Sequence, residues 1–174
     1  MHALKTRVDR ALGLFIAAVF AVLVACVVWQ VFSRYVLNAP STVTDELARF
    51  LFMWIGLIGA AYTLGQRKHL AIDVLLQMAG PQKARWLALL VTLLVGVFSA
   101  VVLIYGGAML MQKTLATGQL SPALRLPMGY VYGAIPLAGA MMVLYCLEFA
   151  AGLVSGRIHP IDTEAEPAAG GPLT

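Results

Sequence analysis

The sequence predicts an all-α integral membrane protein: four transmembrane helices, with a short interfacial amphipathic helix between spans two and three. Three observations carry that expectation. Of the 174 residues, 61% are hydrophobic and 11% charged, and mean hydropathy is +0.87, whereas a soluble domain is nearer half apolar and a quarter charged. The apolar residues fall in long unbroken runs. The twelve Lys and Arg residues flank those runs instead of gathering in one patch, which fits topology signals and not a nucleic-acid surface.

Residues 1–10 are short and basic, with Lys5, Arg7 and Arg10 against Asp9, and are expected to be a cytoplasmic N-terminus. Span one (about 11–33) carries no charge. At ~1.5 Å per residue it crosses ~30 Å of hydrocarbon. Leu23-Val-Ala-Cys26 looks like a lipoprotein cleavage box, but the apolar run continues through Val27-Val-Trp-Gln-Val-Phe32, so the segment reads as a retained helix. A brief turn around Asn38-Ala-Pro40 follows. Thr42 or Thr44 is placed to cap span two (about 44–65), whose first turn holds Asp45 and Glu46 against the positive end of the helix dipole. Asp45 can pair with Arg49 at i, i+4.

Between about 67 and 79, His69, Asp73 and Gln77 make one polar stripe at four-residue spacing, and Leu70, Val74 and Met78 lie among the apolar remainder. The segment is too short to span, so an in-plane helix is the expectation. Gly80-Pro81 ends it. Span three (about 84–111) opens beside Lys83, Arg85 and Trp86 as interface anchors, and a loop holding Lys113, Gly118 and Arg125 leads to span four (about 129–154). Pro136 should kink that span or delay its start. Together residues 11–154 form the membrane domain. The tail, residues 155–174, is acidic and rich in Pro, Ala and Gly, a composition expected to be disordered.

Four spans put both termini on one side. If that side also holds the loop between spans two and three, it carries eight basic residues, and the other side carries Arg34, Arg49, Lys113 and Arg125. The excess places both termini in the cytoplasm.

Several chemistries are excluded or weakened. His2, His69 and His159 all lie outside the spans, which argues against a haem-bearing bundle, and no two candidate ligands share a usable metal spacing. Walker-type and GxSxG motifs are absent, so the chain is not expected to be an enzyme or to hold a cofactor. Cys26 and Cys146 lie in apolar runs as free thiols. A carrier of this size would need an ionisable group near the bilayer centre. The spans offer only Asp45, Glu46 and Arg49 near one end and Glu148 about two turns from another.

What the spans do offer is packing surface. Gly56/Ala60, Gly96/Ala100 and Gly129/Gly133 are small-xxx-small pairs, equally suited to packing within the chain or against a partner, and Gln30 and Ser33 can hydrogen-bond a neighbouring helix. Arg34 has two readings: an interface anchor, or an ion-pair partner of Asp45 or Glu46 across the first hairpin. His69 and Asp73 are either the wet stripe of a surface helix or part of a contact. Arg34, Asp45, Glu46, Arg49, His69 and Asp73 are therefore the candidate partner-interface residues.

Read in order, Trp29-Gln-Val-Phe-Ser-Arg34-Tyr-Val-Leu, Thr44-Asp45-Glu46-Leu-Ala-Arg49-Phe-Leu-Phe-Met-Trp54, Gly59-Ala-Ala, His69-Leu-Ala-Ile-Asp73, Gly118-Gln-Leu-Ser121-Pro122 and Leu126-Pro127-Met-Gly-Tyr-Val-Tyr132-Gly-Ala-Ile-Pro136 resemble the small membrane subunit of tripartite ATP-independent periplasmic (TRAP) transporters, the DctQ-like family. The resemblance runs from roughly Val8 to Val154. One departure is that the acidic pair, often Glu-Glu in that family, is Asp45-Glu46 here. The resemblance implies a multi-pass subunit of a bacterial inner membrane that scaffolds a large, elevator-type membrane subunit. It implies sodium-coupled import of organic acids, C4-dicarboxylates among them, delivered by a periplasmic substrate-binding protein that the loops 34–43 and 112–128 would meet. Two other readings of a four-helix chain are a stand-alone secondary carrier and the membrane anchor of a redox complex.

Overall fold

The structure is a computed structural model that describes residues 2–66 and 81–155, with side chains from 10 to 66 and from 83 to 155. The expected in-plane helix, His69 and Asp73 with it, and the tail beyond Ser155 lie outside the described residues.

The described chain is helical. Its elements are α1 (His2–Tyr35), α2 (Thr42–Gly65), α3 (Pro81–Phe98), a wide π-helical segment (Ser99–Gly106), α4 (Gly107–Ala116), α5 (Met128–Tyr132) and α6 (Ala134–Val154). They supply four stretches long and apolar enough to cross a membrane: Arg10–Tyr35, Thr42–Gly65, Lys83–Ala116 and Met128–Val154. One boundary departs from the sequence expectation, and one break follows it. The third stretch runs on to Ala116 instead of ending near 111, because Gln112, Lys113 and Thr114 end a hydropathy run without ending a helix. The fourth is broken at Gly133. Pro136 has no N–H to give the Tyr132 carbonyl, so α5 stops one residue before the break and α6 restarts with Pro136 in its first turn, where the missing donor costs least.

The helices pack in a chain of neighbours: α1 on α2, α2 on α6, and α6 on the third span along α3, the π segment and α4. The α1 seam is spaced at three and four residues through Ile16, Val19, Leu23, Cys26, Gln30 and Ser33, while most of its other side chains point outward.

Burial is the reverse of a soluble core. The buried set is dominated by small residues, Ala48, Ala61, Ala84, Ala88, Ala134 and Ala138, whereas Phe52 (70% exposed), Trp86 (74%) and Leu144 (66%) face outward. Lipid is as apolar as leucine, so large side chains gain little by turning inward. Close backbone approach supplies the cohesion instead.

The π segment and α6 make the closest such approach. A Cβ on Gly139 would sit 2.6 Å from Leu103 Cβ and 3.1 Å from the Ile104 backbone nitrogen, so only glycine admits the widened turn. Ser99, fully buried at the start of that turn, donates its hydroxyl to Met142 Sδ at 3.6 Å. At the other end of α6, Arg85 Nη2 donates to the Val154 carbonyl at 3.0 Å, a cation on the negative helix terminus. That end is sealed by Ala84, Ala88 and Leu153 with Leu87, Leu89 and Phe149.

Candidate functional site

Where α1 ends and α2 begins, the structure places Arg34, Asp45, Glu46 and Arg49 at one end of the molecule, with separate polar contacts built around each acid. The arrangement starts with the cap of α2. Ser41, and not Thr42 or Thr44, is the N-cap: its backbone is extended (φ −87°, ψ 101°), and its hydroxyl accepts from the Thr44 N–H at 3.5 Å. Thr42 and Thr44 already lie inside the helix, and Thr44 donates its hydroxyl back to the Ser41 carbonyl at 3.2 Å. This start turns Asp45 and Glu46, neighbours in the first turns, to different partners.

Asp45 faces the first hairpin. Gln30 of α1 donates its side-chain amide to Asp45 Oδ1, and Arg49 pairs with Asp45 Oδ2 one turn along α2. The expected i, i+4 pair is therefore present, and Gln30 reaches a neighbouring helix as its position suggested. Ser33, buried beside it, donates instead to the Gln30 carbonyl of its own helix at 3.1 Å.

Glu46 faces the far loop. Its Oε2 accepts from the backbone N–H groups of Ala123 and Leu124, each at 2.8 Å. These amides open a single turn in the 117–127 connection, and a carboxylate there is held by two charge-assisted bonds and favoured by the local dipoles. Buried Ser121 closes the same turn. It gives its N–H to the Leu126 carbonyl (2.9 Å), accepts the Arg125 N–H on its carbonyl (3.1 Å), and accepts the Leu126 N–H on its hydroxyl (3.2 Å). Met128 N–H donates to the Gln119 carbonyl at 2.9 Å and sets the start of α5.

Arg34 departs from one of its two readings. It is exposed in the last turn of α1, and it pairs with neither acid, because Gln30 and Arg49 occupy Asp45 and the loop amides occupy Glu46. The hairpin is fastened by the uncharged Gln30 one turn below. Ser121, Ala123 and Leu124 were not among the sequence candidates. Glu46 meets backbone amides 77 and 78 residues away, and no side-chain pattern advertises such a contact.

The small-residue pairs also part company. Gly96 packs near Cys146, and Gly129 and Gly133 lie under Met111 and Leu115, all within the chain. Gly56 and Gly59 on α2 have nothing within 4 Å of a Cβ position, and Gly56 and Ala60 are exposed. Among the described residues, no three His, Cys, Asp or Glu side chains cluster as metal ligands would.

This arrangement is structural polar chemistry at a helix end: it orders loops and leaves helix faces open. Residues 23–156 match the family described as tripartite ATP-independent periplasmic transporters, DctQ component. The chain belongs to the DctQ family. That family comprises transporter subunits and not enzymes, and its membership with the four apolar helices makes this a multi-pass membrane protein. The chain is 32% identical over 131 residues to the C4-dicarboxylate TRAP transporter small permease protein DctQ of Rhodobacter capsulatus, covering 70% of this chain and 57% of that protein. It is 32% identical over 131 residues to the sialic acid TRAP transporter small permease protein SiaQ of Vibrio cholerae, covering 74% and 72%. Over 148 residues it is 26% identical to the isethionate TRAP transporter permease protein DctMQ of Oleidesulfovibrio alaskensis, which is 80% of this chain but 23% of that one.

Proposed function

We propose that the chain is the scaffold small permease subunit of a sodium-coupled, binding-protein-dependent TRAP transporter that imports organic acids. Its task is to support a large, elevator-type membrane subunit, with both termini in the cytoplasm of a bacterial inner membrane.

The observation that carries this reading is the distribution of charge along the spans. No Asp, Glu, Lys, Arg or His occurs in residues 11–33, 50–66, 86–112 or 126–147. A carrier that moves an anion or a coupling cation by itself needs polar or ionisable groups near the midplane. This chain concentrates them at helix ends and presents apolar helix faces with open glycines. Surfaces of that kind receive another set of helices. The DctMQ relative supports the partner's identity, because there a segment like this chain is joined within one much longer permease. Transporters named for C4-dicarboxylate, sialic acid and isethionate all carry anionic solutes, which supports the organic-acid class.

Within this reading, Arg34 and Arg49 contribute directly to the partner interface. Asp45 and Glu46 contribute by fixing the α1–α2 hairpin and the 117–127 loop, and His69 and Asp73 act from the opposite face. The test is co-purification: the tagged chain, extracted in mild detergent from cells expressing the whole system, should retain a large multi-span permease in stoichiometric amount. A chain that elutes alone under conditions preserving its fold, or one that by itself drives solute uptake into proteoliposomes, overturns the proposal.

A further inference from the structure

Spans three and four change character at one level. Span three leaves its π segment at the Gly106–Gly107 junction. There the Gly107 N–H is shared among the carbonyls of Val102, Leu103 and Ile104, the acceptors of a π turn, an α turn and a tighter one. Span four breaks at Gly133, where Pro136 has no N–H for the Tyr132 carbonyl. The two joints face each other: a Cβ on Gly107 would lie 2.7 Å from Ile135 Cγ2 and 3.0 Å from Pro136 Cδ. At both, the α ladder is already interrupted, so bending there gives up little hydrogen bonding.

What lies beyond the joints, residues 107–132, is a hairpin with its own cohesion. α4 packs chiefly on α5, whereas α6 packs chiefly on the π segment, α2 and α3. Within the hairpin, Leu115 and Met111 lie against Gly129. Its connection is closed by its own backbone. The Gln119 N–H donates to the Thr114 carbonyl (3.3 Å), the Met128 N–H donates to the Gln119 carbonyl (2.9 Å), and Leu120 pairs with Pro127 in an antiparallel bridge. Ser121 ties the tip from within. Among the described residues, the hydrogen bonds that join this unit to α2 are the two that Glu46 accepts from Ala123 and Leu124, each at 2.8 Å.

We propose that residues 107–132 move as one hinged hairpin, tilting about the paired joints at Gly106–Gly107 and Gly133, with the Glu46 carboxylate as its catch. A hinge works through a few element-terminal residues that absorb the backbone change while what lies on either side stays packed. Here the two sides hold together independently. The contact of Leu115 with Gly129 belongs to the hairpin. The approach of Gly139 to Leu103, the bond from Ser99 to Met142 and the Ala84–Ala88–Leu153 cluster belong to the body below. The fastening of Gln30 to Asp45 also stays outside the tilting part. α4 is ~15 Å long, so a tilt of about 15° carries its far end about 4 Å. The catch is doubled and charge-assisted, yet it is one side chain, so a single event at Glu46 frees the hairpin. The outer end of the chain can thus yield while α1, α2 and α6 keep their places. The inference concerns this chain alone and does not depend on the transporter reading.

The test measures two distances by electron–electron double resonance on the full chain in nanodiscs, with Cys26 and Cys146 replaced by alanine. One spin-label pair joins position 31 on α1 to position 116 at the far end of α4. The other joins position 31 to position 144 on α6, below the joints; Val31, Ala116 and Leu144 are all exposed. With Glu46 intact, each pair should give one narrow distribution. Glu46→Ala should shift or broaden the 31–116 distribution by about 4 Å, the reach of a ~15 Å helix tilted by about 15°, and leave 31–144 as it was. Glu46→Gln keeps an acceptor oxygen and should stay near the wild type. Adding Gly106→Ala to Glu46→Ala should narrow the 31–116 distribution again, because alanine stiffens the joint and fits there, its Cβ 3.7 Å from the Val101 carbonyl oxygen. An unchanged 31–116 distribution in Glu46→Ala overturns the inference. So does equal broadening of both pairs, which is a general loosening of the helices. If Glu46→Ala does not fold, Glu46→Asp, which draws the carboxylate back by one methylene, is read by the same two criteria.

Discussion

Gly56 and Gly59 on α2 and Gly107, Gly129 and Gly139 on the α4–α6 side of the molecule occupy opposite environments, although all five lie in apolar stretches long enough to cross a membrane. Around Gly107, Gly129 and Gly139, a Cβ would meet Ile135 at 2.7 Å, Leu115 at 2.3 Å and Leu103 at 2.6 Å. Around Gly56 and Gly59 it would meet nothing within 4 Å. In the first region glycine is required because this chain's own helices press together there. In the second it leaves a face on which a further helix can approach closely. One half of the molecule is finished; the other is prepared. The polar contacts at the mouth of the α1–α2 hairpin join the two, since Gln30 and Asp45 fasten α1 to α2, and Glu46 fastens α2 to the loop that leads into α5.

The contrast breaks most readily in the finished half. Gly129→Leu drives a side chain into Leu115 and toward the Met111 carbonyl, and overpacking of this kind costs about 1–3 kcal/mol or more. The variant should lose its thermal transition or its monodisperse elution in detergent, and wild-type-like melting would mean that the α4–α5 contact is not as close as drawn here. Next in size is Glu46→Ala, which strands two amides at a cost of about 1–3 kcal/mol. Hydrogen exchange at Ala123 and Leu124 should accelerate in it and recover in Glu46→Gln. Gln30→Leu removes one interhelical hydrogen bond, worth about 0.6 kcal/mol on average and about 1.7 at most in a membrane. It should lower the melting temperature slightly and raise proteolytic sensitivity in the first hairpin. Smallest is Gly56→Ala, which fills open space and favours a helix by about 0.5–1 kcal/mol. The isolated chain should melt unchanged or slightly higher, while retention of the large subunit drops.

Much of the fold was legible because hydropathy and length suffice for a membrane helix: in residues 11–33 the apolar run continues past Cys26 without a charge, which disposes of the cleavage-box reading. The Asp45–Arg49 pair was legible because helix geometry alone brings i and i+4 together. The cap was misplaced by one to three residues. Ser41-Thr42-Val43-Thr44 supplies three hydroxyls in a row, and which one caps depends on where the backbone turns extended. The π segment left no sequence trace, since Ser99–Gly106 is as apolar and as helix-compatible as its flanks; the widened turn answers to Gly139 on another helix. The candidate site was half legible for the same reason. Charge scarcity singled out Arg34, Asp45, Glu46 and Arg49, but which partner each takes is decided by contacts from α1 and from a loop more than 70 residues away.

The claim that α2 carries a face reserved for another chain can be tested by crosslinking in the membrane. A variant with Cys26 and Cys146 replaced by alanine and a photoreactive label on a cysteine at position 52, an exposed phenylalanine one turn before Gly56 on α2, is irradiated in membranes containing the whole transporter, beside a control labelled at Leu144 on the outer face of α6. The label at 52 should form an adduct with the large permease subunit far more efficiently than the control. Adducts with lipid alone at position 52, from a chain that still co-purifies with the permease, would contradict the claim.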